Sequence, residues 1–205
     1  MEATHLYRSP NILGEGPIWS VAEQALYWVD IDGKKIQRYS PTLKEYASFP
    51  MPIKVSLLAF RKAGGFVCGT ENGFYFWDAD TLTFEPISDP EAGKKDARFN
   101  DGKVDRNGRL WAGTMTAQGA SSSLYRLDEK LSISRMVSEV TISNGIGWSP
   151  DHTTMYYVDS LRYVINAFDF DIKDSSISNK RAFVQLDATI GVPDGLTVDR
   201  EGYVW

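Results

Sequence analysis

The sequence predicts an all-β fold, a β-propeller of the six-bladed type truncated to about four blades plus the start of a fifth. Three observations lead there. One motif recurs five times along 205 residues. Its copies lead off at positions 15, 57, 101, 144 and 194, in steps of 42, 44, 43 and 50 residues. Between them lie short alternating or β-branched and aromatic runs bounded by Gly, Pro, Asn and Asp, with no long stretch of helical apolar spacing. A period in the forties with several short strands per repeat is the mark of a propeller.

The fullest copy is Arg98-Phe99-Asn100-Asp101-Gly102-Lys103-Val104-Asp105, running on through Gly108 to Leu110-Trp111-Ala112-Gly113-Thr114-Met115. The first is Glu15-Gly16-Pro17-Ile18-Trp19, leading to Leu26–Asp30. The second, Leu57 to Thr70, superposes on Asp101 to Thr114 without insertion. The fourth starts at Asn144-Gly145 and the fifth at Asp194-Gly195, ending in Tyr203-Val204-Trp205.

In chain order, Thr4 to Arg8 reads as a short edge strand before a turn at Pro10-Asn11. One domain, 1–205, is expected, with blades at about 15–52, 55–90, 98–138 and 142–187 and the next starting at 192–205. The first blade takes strands at Leu26 to Ile31, Lys35 to Tyr39 and Tyr46 to Phe49, stopped by Pro50 and Pro52. The second takes Phe66 to Gly69, Phe74 to Trp77 and Thr83 to Ile87, and a polar connector, Asp89 to Asp96, follows. The third adds Ser123 to Leu127 and Ser132 to Val137. The fourth adds Val164 to Phe170 and Arg181 to Gln185, with a turn at Asp174-Ser175-Ser176. A last aromatic inside a strand leaves an edge unfinished, so a longer parent chain is expected.

Composition excludes several classes. Lys and Arg total 22 against 27 Asp and Glu, a net charge of −5, and no basic run suggests nucleic acid. Apolar residues at 42% argue for a packed core rather than disorder. The single cysteine, Cys68, lies in a strand and reads as a small buried residue. The N-terminus lacks the pattern of a signal peptide, and no apolar run is long enough to span a membrane. The cytoplasm is the expected compartment, with no nucleic-acid or membrane partner. Neither histidine, His5 nor His152, stands at a lead position, which disfavours a Ser-His-Asp triad. Trp19, Trp111 and Trp148 recur at repeat positions and read as core aromatics.

In a propeller the residues that open each innermost strand converge on one end of the axis. Glu15, Asp101, Asn144 and Asp194 carry oxygen side chains there, with Asn100 beside Asp101. Such a set would repel or stay unsatisfied without a cation. Oxygen donors favour hard ions, Ca²⁺ first, with Mg²⁺, Mn²⁺ or Zn²⁺ as alternatives. Asn-Gly and Asp-Gly are also common hairpin turns, but four in register at one point of a repeat are harder to explain that way. Asp101 is the member that could instead point sideways and brace its neighbours.

The motifs Leu13-Gly14-Glu15-Gly16-Pro17, Arg98-Phe99-Asn100-Asp101-Gly102-Lys103, Ala112-Gly113-Thr114-Met115, Ile142-Ser143-Asn144-Gly145 and Val192-Pro193-Asp194-Gly195 resemble the senescence marker protein 30, gluconolactonase and luciferin-regenerating enzyme family, also called regucalcin-like. The resemblance implies a six-bladed propeller with one divalent metal in the central channel and, in many members, hydrolysis of sugar lactones. It implies metal ligation by Glu15, Asn144 and Asp194, substrate contacts from Arg98 and Asn100, and proton transfer by Asp194. Where some relatives carry a substrate-binding carboxylate, this chain has Gln118, so their substrate preference does not transfer with it.

The expected reaction is hydrolysis of a small-molecule sugar lactone, its carbonyl polarised by the cation. Arg98 and Asn100 would hold hydroxyls or the developing oxyanion, and Asp194 would take a proton from water. A carboxylate on a cation is a weak base, so direct ionisation of a water on the cation stands as the alternative. A non-catalytic calcium-binding or scaffold propeller, and a metal-dependent hydrolase of other esters, are the competing readings.

Overall fold

The computed structural model describes residues 5–117 and 119–205. The chain divides into two compact units, one ending at Asp89 and one beginning at Pro90. Each unit holds two four-stranded antiparallel sheets whose strands neighbour one another in chain order. The first unit contains β1 (Gly14–Ser20), β2 (Ala25–Asp30), β3 (Lys35–Ser40) and β4 (Glu45–Pro50), then β5 (Val55–Phe60), β6 (Phe66–Thr70), β7 (Gly73–Trp77) and β8 (Phe84–Ser88). The second contains β9 (Arg98–Val104), β10 (Leu110–Met115), β11 (Ser122–Leu127) and β12 (Ile133–Val140), then β13 (Ser143–Trp148), β14 (Thr154–Asp159), β15 (Val164–Asp171) and β16 (Ser176–Gln185). One turn of 3-10 helix, Ser160–Arg162, joins β14 to β15. These are blades of the propeller type, and the fold class is the all-β one that the repeat predicts.

Residue type explains the layering. The middle strands are rich in apolar and aromatic residues on both faces, and burial follows: β2 and β10 are almost wholly buried. In the first unit Tyr27, Val29, Ile36, Leu58, Phe66 and Trp77 form a core in which β2 packs against β5. In the second, Trp111, Leu124, Ile146, Met155, Tyr157 and Phe170 do the same between its two sheets. Cys68 is wholly buried, and burial pushes its thiol up.

Two carboxylates set matching hairpins, one between β9 and β10 and one between Val198 and Val204. Asp105 Oδ1 accepts from the backbone N–H of Asn107 at 2.9 Å and Arg109 at 3.0 Å, while Oδ2 accepts from Trp111 Nε1 at 3.1 Å. Asp199 repeats it, accepting from Glu201, Tyr203 and Trp205 Nε1, each at 2.9 Å. Gly108 and Gly202 make the turn possible, with φ of 83° and 92° that other side chains rarely adopt.

Several expectations are corrected. His5 to Arg8 form no strand; instead Tyr7 stacks on Tyr39 and Tyr46. Pro50 ends β4 rather than lying beyond it, because an outermost strand has no further neighbour to receive an N–H. The turn expected at Asp174-Ser175-Ser176 spans residues 172–175, and the strand expected from Arg181 already starts at Ser176, which pairs with Asp171, so that β16 runs ten residues. Its polar sequence hid it: an outer strand exposed on nearly every residue has no apolar alternation to read. Among the three repeat tryptophans, Trp111 is buried and Trp148 half-buried, but Trp19 is 44% exposed. Trp148 packs against Trp111 of the preceding sheet.

Candidate functional site

The site begins with a shared irregularity. In each sheet the first strand faces the residue at or next to the end of the second: Gly14 faces Asp30, Val55 faces Thr70, Phe99 faces Thr114 and Ser143 faces Asp159. The next residues are Glu15, Ser56, Asn100 and Asn144, and at or just after each of them the register slips. Such bulges interrupt pairing and re-aim side chains. The matching hairpins Val104–Trp111 and Val198–Trp205 put Asp194 at the same place.

The register therefore corrects the lead positions. Ser56 and Asn100, not Leu57 and Asp101, stand level with Glu15, Asn144 and Asp194. Asp101 is the neighbour of the series, equivalent to Gly145, and its Oδ1 accepts from the N–H of Gly102 at 2.7 Å.

Within the second unit, four site residues form a continuous array. Arg98 Nη1 donates to Asn100 Oδ1 and to the Phe99 carbonyl, both at 2.8 Å. Asn100 Nδ2 donates to the Ser143 carbonyl and to Asn144 Oδ1, both at 2.9 Å. Asn144, 9% exposed, donates in turn from Nδ2 to Ser160 Oγ at 2.8 Å. Ser160 Oγ donates to the Pro193 carbonyl at 2.8 Å, and the Gly145 N–H donates to the Asp194 carbonyl at 3.1 Å. Gly145 has to be glycine here: a Cβ would stand 2.5 Å from the Leu196 nitrogen and 2.7 Å from the Asp194 oxygen.

The electrostatics are those of carboxylates short of counter-charge. Burial pushes the Asp101 carboxyl above its ordinary value and the charge of Asp194 adds to this, against the Gly102 N–H and the Lys103 ammonium. Burial holds the Lys103 amine below its usual range, with Asp101 opposing, and Nζ donates to the Leu196 carbonyl at 3.2 Å. A cation beside Asp101 and Asp194 would relieve their repulsion.

Asn144 Oδ1 accepts one hydrogen bond and keeps a second lone pair. The donors of this unit, an amide oxygen and carboxylates, thus suit a hard cation. Among the described residues no three His, Cys, Asp or Glu side chains come together as a ready-made metal cluster. Glu15 is an exposed residue of the first unit, on β1 opposite Val29. Gln118 lies outside the described residues.

A cavity of about 450 Å³, lined by Lys103, Arg106, Trp148, His152, Thr197 and Val198 among others, lies at the opposite ends of β9 and β13. Four residues of strand, roughly 13 Å, separate Asn144 from Trp148, so the cavity is not the place of the Asn100–Asn144 array. His152 sits in a turn and faces Arg106 Nη1 at 2.9 Å. Sequence reasoning missed Ser160, whose only signal was a serine directly after the Val-Asp that closes β14. Among the described residues no helix is long and apolar enough to cross a membrane.

Comparison with known proteins bears on the family and the fold. Rabbit (Oryctolagus cuniculus) regucalcin is 38% identical over 199 residues, covering 94% of this chain and 67% of the rabbit protein. Zebrafish (Danio rerio) regucalcin is 36% identical, covering 97% of this chain and 68% of its own length. A luciferin-regenerating enzyme superposes with a TM-score of 0.89 at 33% identity, over 95% of this chain and 68% of that one. A calcium-binding regucalcin from Agrobacterium tumefaciens gives 0.92 at 25% identity, over 98% and 68%. A gluconolactonase from Xanthomonas campestris gives 0.79 at 26% identity, over 95% and 69%. The sequence model of the SMP-30/Gluconolactonase/LRE-like region matches residues 13–205, and the chain belongs to that family.

Proposed function

We propose that the protein hydrolyses a sugar lactone to its aldonic acid with the help of one divalent cation, Ca²⁺ before Zn²⁺, Mn²⁺ or Mg²⁺. The observation that carries this reading is the Arg98–Asn100–Asn144 array, seated on two bulged strands next to the turn that delivers Asp194. Family membership supports this reaction class.

A bound cation would supply polarisation of the lactone carbonyl. Asn144 Oδ1 and the carboxylate of Asp194 would hold it. Arg98 presents a guanidinium for sugar hydroxyls or the developing oxyanion. Asn100 spends both amide hydrogens on Ser143 and Asn144, so its contribution is to orient Asn144, and towards substrate it can only accept. Asp194, exposed at the site's edge, takes a proton from the attacking water. The water oxygen bonds to the carbonyl carbon, the ring C–O bond breaks, and the freed alkoxide takes the proton back.

The test is hydrolysis of an aldonolactone panel by chelator-treated protein, before and after each cation is restored. Turnover that needs a cation and falls at least about a hundredfold in Asp194→Asn supports the reading. Full turnover in that variant overturns the proton-transfer role. A non-catalytic calcium-binding protein is the second reading, favoured by the description of the Agrobacterium tumefaciens relative as calcium-binding. Cation binding that raises Tm, with no turnover on any lactone, would establish it.

A further inference from the structure

We propose that Ser160 is a positioning residue that locks the Asn144 side-chain amide with its oxygen facing the site. The inference rests on Asn144 being a cation ligand. An asparagine amide can be turned over with little change of shape, so its neighbours decide which end is which. A serine hydroxyl has one hydrogen and two lone pairs. Ser160 spends its hydrogen on the Pro193 carbonyl, which can only accept. Towards Asn144, Ser160 is therefore an acceptor, and the group it faces must be the NH₂.

The other side agrees. Asn100 accepts from Arg98 through Oδ1, so its NH₂ is the end that points at Ser143 and Asn144. The atom of Asn144 that receives it must be the oxygen. Two independent neighbours thus enforce one orientation. Ser160 is itself held: it is 2% exposed, its N–H donates to the Ile142 carbonyl at 3.1 Å, and its carbonyl accepts from Tyr163 at 2.9 Å.

Ser160 also ties Asn144 to the segment before Asp194 through the Pro193 carbonyl. One hydroxyl sets the aim of one ligand and the seat of the next. Groups of this kind orient ligands without touching the ion, and their loss weakens binding by about 10- to 100-fold.

The experiment titrates Mn²⁺, and separately Ca²⁺, into chelator-treated wild-type, Ser160→Ala, Asn144→Asp and the double variant by calorimetry. Each metal-free Tm is recorded alongside. Ser160→Ala is expected to weaken binding at least about tenfold. Either oxygen of the carboxylate in Asn144→Asp can face the ion, so in that background the serine change is expected to cost less than about threefold. Equal affinities of wild-type and Ser160→Ala, or the same loss in both backgrounds, would overturn the proposal while leaving the cation reading standing. A wild-type protein that binds neither ion overturns both. A measurement on wild-type alone covers a variant that does not fold. Both Asn144 NH₂ hydrogens exchanging with solvent as fast as an exposed asparagine's would also overturn it.

Discussion

Asn100 donates to Asn144 Oδ1 at 2.9 Å across the gap between two bulged strands. Both hydrogens of the Asn100 amide are committed, one to Asn144 and one to the Ser143 carbonyl. Replacing Asn100 by Asp removes both donors and sets a carboxylate against two acceptors. Asn100→Asp is expected to lose about 1–3 kcal/mol of stability, read from urea melts. Lactone kcat/KM is expected to drop at least about tenfold with it. A variant as stable as wild-type would show that the two asparagines are not coupled.

Gly145 is the point where the segment of Asp194 crosses β13. In Gly145→Ala the new methyl meets the backbone at Leu196 and Asp194 first, which cannot swing aside, and Leu196 Cγ at 2.8 Å as well. A cost of about 1–3 kcal/mol is expected, with weaker cation binding because Asp194 is displaced. Calorimetry and a chemical melt check both. Unchanged cation affinity would separate the crossing from the site.

Acid sensitivity has a named contributor. Burial alone would raise the Asp30 carboxyl, but the N–H groups of Leu13, Ile12 and Gly33 and the charge of Lys35 outweigh it and hold it below its ordinary value. A carboxyl that titrates lower when folded contributes stability fully above its unfolded pKa of about 3.9. That contribution is lost as pH falls through the lower folded value. Asp30→Asn is expected to cost about 1 kcal/mol or more at pH 7. The deficit should narrow in melts run towards pH 3.

The two matched tryptophans separate hydrogen bonding from burial. Trp111 is fully buried with Arg126 above its ring at 6.0 Å, and Trp205 makes the same indole bond while 75% exposed. Trp111→Phe is expected to cost about 1–3 kcal/mol, and Trp205→Phe a small fraction of that. Equal losses would mean the turn itself, not the core, sets the cost.

Much of this was legible because a repeat writes the same constraints several times. The strands around Leu26, Phe66, Leu110 and Met155 follow from apolar runs closed by turn residues, and they are strands. The bulges were not legible, since a slip of register exists only relative to a partner strand. Lead positions read from the chain alone therefore settled on Leu57 and Asp101, each one residue past the true series. Ser56 escaped because a serine among apolar residues looks like any other half of a strand. Ser160 escaped because its meaning lies in Asn144 and in Pro193, 33 positions away. The outer strand β16 escaped because exposure erases the alternation that betrays an inner strand.

Each sheet joins only strands that are consecutive in the chain, and this sets how the protein is made as well as how it stands. A hairpin closes in about 1–10 µs, whereas the ribosome adds about 5–20 residues per second. The stretch Gly14–Pro50 therefore has all its pairing partners about 0.5–2 s before β5 has been synthesised. Nascent sheets need not wait for distant sequence to find their register. Docking one finished sheet on the next, where Tyr27 meets Phe66 and Trp111 meets Trp148, has to wait for the later sheet. Substitutions at those contacts should delay maturation more than substitutions in the turns.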